Sequence, residues 1–447
     1  MGFKMEYTRT RYIEQLAARR QNGLVKVITG CRRSGKSYIQ NELYYRYLLS
    51  DGVRSTHIIR FAFDVDEDVD LLDQYLPNEP TRIKVKKNET VVNSKKFRAY
   101  IKDKTQEEGD YYLLLDEIQL LENFIGTLNG FLRNRNYDVY VTGSNSRFLS
   151  SDIATEFRGR GSVVHVLPLV FSEYTQRKEL TISDAWKEYT MTGGIPLVSL
   201  LTNDEERMEY LRNLCEETYL KDIIQRKDVK KTQELSDTFN VIASMMGTPV
   251  NISKITNTFK SVLKTNLTDD TMGNFISYFE DAFIVSRVSK YNIKGRKYIG
   301  SPFKLYFDDV GVRNARLKFR QTEESHLMEN IIYNELRYRG FNVDVGELEV
   351  SEKTDRTDTN GKIIYRQKAL EIDFVATQGS QKYYIQSALS MEDEQKQKQE
   401  KRGLYHIDDS FKKIIITKSD LKPQRDDKGV LIIDLFDFLL NEDSLKL

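Results

Sequence analysis

The stretch LVKVITGCRRSGKS, residues 24–37, decides the fold of the N-terminal part of this 447-residue chain. A short apolar segment, Leu24–Thr29, runs into GCRRSGKS, which fits the pattern G-x-x-x-x-G-K-[ST] without a mismatch. In that pattern a strand ends in a glycine-rich loop whose main-chain N–H groups wrap phosphates, and the positive end of a helix dipole faces them. We therefore predict a phosphate-binding loop between a strand and a helix, Lys36–Ser50.

This loop predicts an ATP site with Mg²⁺. We expect Lys36 to neutralise the β- and γ-phosphates and the Ser37 hydroxyl to bind the metal. A glycine turn without a nucleotide is the alternative. The residues predicted to contact the nucleotide are Gly30, Arg32, Arg33, Ser34, Gly35, Lys36, Ser37 and Tyr38.

Two acids follow a second apolar run, Tyr111–Leu115. Asp116 stands where a Walker-B aspartate holds the Mg²⁺ shell, so we predict it as the second metal residue. Glu117 is then the acid that polarises the attacking water. The alternative is a strand that ends in a solvated acidic turn.

Two further catalytic residues are predicted beyond the next strand. Asn145, in Gly143-Ser-Asn-Ser146, is a candidate sensor of the γ-phosphate or the water, or else it caps the helix that follows. Arg158 or Arg160 is placed to act as an arginine finger, with Arg160 preferred. That role needs a neighbouring subunit or domain, and an ion pair with Glu156 is the alternative.

The first 200 residues alternate β-rich and amphipathic segments, which predicts an α/β fold with a parallel sheet. The predicted strands are Leu24–Thr29, His57–Phe63, Tyr111–Leu115, Asp138–Thr142 and Ser162–Leu167. A charged insert, Asp64–Asp110, interrupts the alternation. Its basic part, Thr81–Tyr100, either binds nucleic acid or pairs with the acidic stretch Asp64–Asp70.

The middle of the chain has the element order of a winged helix. Two short helices, Ile255–Val262 and Met272–Phe283, precede a hairpin whose strands are Ile284–Ile293 and Arg296–Phe307. The tip of the hairpin carries the cations predicted to contact DNA phosphates, Lys294, Arg296 and Lys297. Asp269 and Asp270 at the start of the second helix oppose base contacts, so a structural or protein-docking role is the alternative.

The last part of the chain resembles the core of PD-(D/E)xK nucleases. A helix, His326–Arg339, precedes Glu371-Ile-Asp373 and then Gln386-Ser-Ala388. The chemistry needs a carboxylate pair for Mg²⁺ and a lysine that activates water, but an amide and a methyl group occupy two of those positions. We therefore expect a nuclease-like α/β scaffold used for binding rather than an active nuclease, with Glu329 or Glu335 as its fourth acid.

The whole set of motifs is similar to prokaryotic AAA-type ATPases of the STAND-like branch. The motifs are GCRRSGKS (30–37), LLLDEIQ (113–119), VTGSNS (141–146), EFRGRG (156–161), LPLVFSEY (167–174) and TGGIP (192–196). The resemblance implies an AAA-type ATPase domain, 1–202, a helical and winged-helix domain, 203–318, and a nuclease-like domain, 319–447. It also implies that Pro196 touches the adenine; a plain helix-breaking turn is the alternative.

Composition narrows the remaining classes of protein. Lys and Arg number 68 against 67 Asp and Glu, a net charge of +1, which excludes a uniformly basic binder but not local basic patches. No apolar run is long enough for a membrane span, and we expect no signal peptide. Two cysteines and four dispersed histidines predict a reducing, cytoplasmic setting without a zinc site.

The sequence therefore predicts a cytoplasmic Mg²⁺-dependent ATPase whose nucleotide state moves a winged helix and a nuclease-like module. Its predicted partners are DNA, a protein or a second copy of the chain. The alternatives are a slow nucleotide-switched signalling protein without DNA contact and a DNA-processing enzyme with residual nuclease activity.

Overall fold

The computed structural model describes residues 6–86, 89–143, 159, 161–176, 179–321, 323–357, 363–391 and 393–447. The chain forms two compact units, Met1–Pro168 and Leu169–Leu447. In the described ranges, no helix is both long and apolar enough to cross a membrane.

The first unit is built on a five-stranded parallel sheet. Seven strands are described in this unit, five of them in the sheet: β1 (Val25–Thr29), β2 (Ile58–Ala62), β3 (Arg82–Lys86), β4 (Glu89–Val92), β5 (Tyr111–Asp116), β6 (Tyr137–Thr142) and β7 (Gly161–His165). The sheet order is β2-β5-β6-β1-β7, and every neighbouring pair is parallel. The predicted parallel α/β sheet is confirmed, and β3 and β4 form a separate hairpin inside the insert.

Helices connect these strands. They are α1 (Thr10–Ala17), α2 (Lys36–Tyr38, continued by a π-helical stretch, Ile39–Tyr44, and by Tyr45–Ser50), α3 (Asp66–Asp70), α4 (Ser94–Lys104) and α5 (Phe124–Phe131). Helix α2 starts directly after Gly35 and ends before Gly52, whose φ of 87° suits a glycine. The predicted helix Lys36–Ser50 is therefore confirmed.

The central strands carry the core of the first unit. All six residues of β5 are buried, as expected for a strand with helices on both faces. Strand β1 is also fully buried, although it contains Lys26. The ammonium of Lys26 forms an ion pair with Asp138 of β6, so the buried charge is compensated.

Internal ion pairs use part of the charge of the insert. Arg82 forms an ion pair with Asp66 of the acidic stretch, and Lys95 Nζ lies 2.9 Å from Glu79 Oε1. Lys96 is 2% exposed and donates to main-chain oxygens. Of these three cations, Arg82 pairs with the acidic stretch Asp64–Asp70, whereas Lys95 and Lys96 have partners outside it.

The second unit begins with helices and continues into a large mixed sheet. Its helices are α6 (Phe171–Tyr174), α7 (Ile182–Thr192), α8 (Pro196–Leu200), α9 (Asp204–Asn213, continued by a π-helical stretch, Leu214–Leu220, and by Lys221–Lys227), α10 (Thr232–Ser244), α11 (Ile252–Val262), α12 (Asp269–Asp281), α13 (Val310–Arg316), α14 (Glu324–Tyr338), α15 (Glu394–Tyr405) and α16 (Leu435–Leu440).

The strands of the second unit form one sheet of eight. They are β8 (Val285–Asn292), β9 (Lys297–Phe307), β10 (Asn342–Thr357), β11 (Ile363–Gln378), β12 (Gln381–Ala388), β13 (Lys412–Thr417), β14 (Gln424–Arg425) and β15 (Leu431–Asp434). Their order is β14-β15-β13-β12-β11-β10-β8-β9. Strand β8 of the hairpin β8–β9 pairs in parallel with β10 and so joins the C-terminal strands. The predicted domain boundaries, at 202 and 318, both lie within Leu169–Leu447 and stay predictions.

Candidate functional site

The loop between β1 and α2 has the backbone that its sequence predicts. Gly30 and Gly35 have φ values of 143° and 95°, and Arg33 takes a left-handed φ of 68°. A β-carbon on Gly30 would run into the main-chain oxygen of Val166, so no larger side chain fits there. The loop is thus drawn tightly over the end of the sheet, and its N–H groups can turn toward a bound anion.

Lys36 is buried at the centre of this loop. It is 5% exposed, and its Nζ donates to the main-chain oxygens of Gly30 at 3.0 Å and Cys31 at 2.8 Å. Burial lowers the pKa of Lys36, and the negative charges of Glu117 and Asp116 oppose that effect. The ammonium therefore lies inside the curl of the loop, next to the acids that end β5.

Asp116 joins the loop to the sheet. Its carboxylate accepts hydrogen bonds from the Ser37 hydroxyl at 3.1 Å, from Asn41 Nδ2 at 3.2 Å and from the hydroxyl of Thr142 at the end of β6. Ser37 and Asp116, both predicted metal residues, are thus in direct contact. Asn41 was missed, although it follows Ser37 by four residues and so shares its helix face.

Glu117 is held in an uncommon backbone conformation. Its φ is 50°, its main-chain N–H donates to the Thr142 hydroxyl at 3.1 Å, and its carboxylate accepts from the Gln119 side chain. A left-handed conformation at a non-glycine residue costs of order 1–3 kcal/mol and tends to persist at functional sites. Thr142, whose hydroxyl touches both acids, has no motif signal of its own and was not predicted.

The site concentrates negative charge. Burial raises the pKa of Asp116, and the charges of Glu117 and Asp64 act in the same direction, against the hydrogen bonds from Thr142 and Ser37. The pKa of Asp64, which follows β2, is raised by burial and then by the charge of Glu117. The Ser37 hydroxyl and the Asp116 carboxylate, which are in contact, supply oxygen atoms, the ligands that a hard divalent cation prefers.

The residues also fit a phosphate chain. The Ser34 hydroxyl is buried and has no hydrogen-bond partner among the described residues. Arg9, another residue that the motif did not predict, is 2% exposed. Its guanidinium donates to the main-chain oxygens of Ser34, at 3.4 Å, and Leu167, at 2.6 Å. Among the described residues, no three His, Cys, Asp or Glu side chains form a cluster that could hold a metal ion.

The remaining predicted nucleotide and catalytic residues stay predictions. Tyr38 is 39% exposed, and its hydroxyl donates to Glu6 at 2.6 Å. Asn145 and Arg160, like Arg158, lie outside the described residues. Pro196 starts α8 of the second unit.

The TGGIP motif has a structural role inside the second unit. A β-carbon on Gly193 would overlap the Asp309 carboxylate, and one on Gly194 would overlap the main-chain oxygen of Leu169. Asp309 accepts from the Gly194 N–H at 2.7 Å. Burial raises the pKa of Asp309 to about 6, and hydrogen bonds from main-chain N–H groups oppose that rise. The glycines are therefore needed for packing here.

The acids of the predicted nuclease-like core lie close to a buried lysine. Lys304 of β9 lies 2.9 Å from Glu329 and 2.8 Å from Glu371, and it is 3% exposed. Asp373 accepts from the Ser387 N–H at 2.8 Å, and its pKa is raised well above its usual value by burial and then by the charge of Glu329. The other candidate acid, Glu335, is paired with Arg339 of the same helix.

Gln386 and Ala388 lie on β12, the strand that pairs with β11. The positive charge near the acids therefore comes from β9 instead of position 388, and it already pairs with two carboxylates.

Family models match two segments of the chain. Residues 22–175 match an AAA domain, and residues 183–323 match a domain of unknown function. The first match agrees with the sheet and the loop geometry and supports a P-loop AAA-type domain in the N-terminal part.

Two similar proteins bear the name "uncharacterized protein". One from Haemophilus influenzae is 28% identical over 443 residues, 98% of this chain and 99% of that protein. One from Methanocaldococcus jannaschii is 26% identical over 333 residues, 71% of this chain and 67% of that protein.

Likenesses to solved structures are weak. The ORC1 protein of Aeropyrum pernix in complex with DNA aligns with a TM-score of 0.29 and 14% identity, covering 70% of this chain and 93% of that one. A DNA polymerase III gamma subunit-related protein of Thermotoga maritima aligns with a TM-score of 0.25 and 12% identity, covering 62% and 100%. TM-scores this low carry no conclusion about this chain.

Proposed function

We propose that this protein binds ATP together with Mg²⁺ and hydrolyses it. The observation that carries the proposal is the contact of Ser37 with Asp116, beside Glu117, at the ends of β1 and β5. A hydroxyl and a carboxylate meet there beside a buried lysine and a second carboxylate. These are the groups that phosphoryl transfer to water requires.

Each residue has a distinct role in this proposal. The loop N–H groups and Lys36 hold the β- and γ-phosphates, while Ser37 and Asp116 hold the metal ion. Mg²⁺ bound there neutralises charge that develops on the phosphate oxygens. Glu117 accepts a hydrogen bond from the attacking water and orients it toward the γ-phosphate.

Three further residues complete the proposed site. Asn145 senses the γ-phosphate or the water, and Pro196 contacts the adenine. Arg160 reaches the transition state from a neighbouring subunit or domain. Two free, buried cysteines, Cys31 and Cys215, suit a reducing compartment such as the cytoplasm.

The test uses two substitutions with different expected outcomes. Lys36→Ala should abolish ATP hydrolysis, because the phosphates lose their buried cation. Glu117→Gln should still bind ATP but turn over about 10²–10⁴-fold more slowly, because the amide accepts protons poorly. Lys102→Ala and Glu108→Gln, at exposed positions, are the controls. Equal turnover in wild type and Lys36→Ala would refute the proposal.

A slow nucleotide switch is the second candidate. It is favoured by the way the two principal groups are tied to internal partners, Lys36 to loop oxygens and Glu117 to Gln119. Both groups must leave those partners to act on a nucleotide. A turnover well below about 1 s⁻¹ with firmly retained ATP would support the switch, since that lies under the range of typical enzymes.

We further propose that nucleotide state is coupled to DNA contact through a winged helix. Helices α10, α11 and α12 precede the hairpin β8–β9, and Val250 bridges to Phe303 of β9. Lys294, Arg296 and Lys297 at the hairpin tip are all exposed and able to reach phosphates. Loss of duplex binding in Lys297→Ala, measured with and without ATP, tests this part.

A further inference from the structure

A cavity of about 540 Å³ lies between the hairpin tip and the C-terminal strands of the second unit. Its volume falls within the range typical of small-molecule sites, about 300–1,000 Å³. The hairpin contributes Lys294 and Arg296, β12 contributes Lys382 and Tyr384, and the segment before β13 contributes Phe411. The cavity therefore combines cations and aromatic rings.

Two of its cations are available to an anion. Neither Arg296 nor Lys382 forms an ion pair with a carboxylate of the described residues. Lys382 Nζ lies 4.8 Å from the centre of the Phe411 ring. Among the described residues, Lys294 donates to the main-chain oxygen of Glu349, at 3.4 Å. All three cations line the cavity, and exposed Lys297 follows Arg296 in the chain.

Asp409, an acid that lines the cavity, already accepts hydrogen bonds from within the protein. Asp409 accepts from the Tyr384 hydroxyl at 2.6 Å and from the Phe411 N–H at 3.2 Å. Its neighbour Asp408 is exposed at the wall of the cavity and offers an acceptor to an amino group. The lining thus brings cations and aromatic rings together with a polar acceptor.

Exposed aromatic rings extend this surface. Phe411 is 38% exposed at the cavity, and Tyr298, at the start of β9, is 66% exposed. The ring of Tyr298 lies 5.5 Å from that of Tyr291, which Lys382 also approaches, at 5.9 Å. Aromatic rings interleaved with cations are the pattern by which proteins stack the bases and hold the backbone of single strands.

We propose that this cavity binds a nucleotide unit of a single-stranded nucleic acid. The base enters beside Tyr384 and Phe411, and the adjoining phosphates contact Lys294 and Arg296. Duplex DNA keeps its bases stacked and paired, so it cannot fill the cavity. The inference extends the DNA contact proposed for the hairpin tip, and it rests on that contact only for the roles of Lys294 and Arg296.

The test measures fluorescence anisotropy of labelled (dT)12 and of a duplex with the full chain. The Phe411→Ala variant should bind (dT)12 roughly tenfold more weakly than the wild type, because it loses one base-stacking contact. Duplex binding should stay within twofold, and Phe411→Trp should retain the affinity for (dT)12. Tyr365→Ala, at an exposed ring that does not line the cavity, and Lys398→Ala, at an exposed cation, are the controls.

Other outcomes separate this proposal from its neighbours. Absence of (dT)12 binding by the wild type overturns it, as does an equal loss of duplex binding in Phe411→Ala. Free dTMP that competes as tightly as (dT)12 also overturns it, because the ligand is then a mononucleotide. Duplex binding that depends on Lys297 without any (dT)12 binding leaves only the hairpin-tip proposal standing.

Discussion

Thr142→Val removes one hydroxyl that touches both acids of the ATP site. That hydroxyl donates to Asp116 and accepts from the Glu117 N–H at 3.1 Å, while valine keeps nearly the same shape. A hydrogen bond to a charged group is worth about 1.5–3 kcal/mol, and an unpaired buried N–H costs about 1–3 kcal/mol. We expect the first unit to lose about 3 kcal/mol of unfolding free energy.

The same change should slow catalysis more than it weakens ATP binding. Without the Thr142 hydroxyl, Glu117 is free to leave its left-handed conformation, and Asp116 loses a fixed orientation toward the metal. Losing such a support typically costs 10–100-fold in activity or metal affinity. Turnover at saturating ATP should therefore fall by about that factor, and half-saturation with Mg²⁺ should need a higher concentration.

Two variants control for shape and burial. Thr142→Ser keeps the hydroxyl and should restore most of the turnover. Thr127→Val removes another buried hydroxyl of the same unit, one that accepts from Arg98 at 3.2 Å, and should leave turnover unchanged. If Thr142→Val turns over within twofold of wild type with the same Mg²⁺ dependence, Thr142 does not position the acids.

Three further changes test the packing behind the sites. Gly30→Ala should abolish binding of a fluorescent ATP analogue, since its β-carbon meets a main-chain oxygen, whereas Gly130→Ala, which has open space, should bind normally. Lys26→Met should cost about 3–5 kcal/mol in urea unfolding, because it leaves Asp138 buried and charged, and Asp138→Leu in the same chain should recover part of it. Asp309→Asn should flatten the pH dependence of thermal stability. The raised pKa, about 6 against 3.8, favours the protonated form in the fold, so its stabilisation is greatest below pH 4 and fades by about 3 kcal/mol as pH rises through 6. Tryptophan fluorescence follows this loss, since the single tryptophan lies in the second unit, and parallel curves for the two proteins would contradict it.

The sequence predicted the parts of the molecule that depend on local patterns. Strand β1, the loop and helix α2 follow one another within 26 residues, so spacing alone places Lys36 and Ser37. The acids after β5 were also predictable, because parallel strands end at one edge of the sheet. Whether Asn145 and Arg160 act beside them stays a prediction.

Contacts between distant segments left no comparable signal. Nothing in the sequence around Thr142, the last residue of β6, marks it as functional. Asp116 lies beside it because β5 is the neighbouring strand. Strand β8 of the hairpin pairs with β10, although helix α14 lies between the hairpin and β10 in the sequence. Two segments that look separable in sequence therefore share one sheet. Lys304 likewise meets Glu371 from a strand more than 60 residues away.

Net charge is a poor guide to nucleic-acid contact because it counts paired cations. Residues 251–300 contain eight basic side chains. Lys290 lies 3.1 Å from both Glu347 and Glu371, and Arg287 donates twice to Glu280. If only the three tip cations engage phosphates, the logarithm of the (dT)12 binding constant should fall against log[NaCl] with a slope of about −2, at about −0.7 per contact. A slope of about −5 or steeper would mean that the paired cations leave their carboxylates and contact phosphates as well. The cations of the hairpin tip would then not be the main phosphate contact.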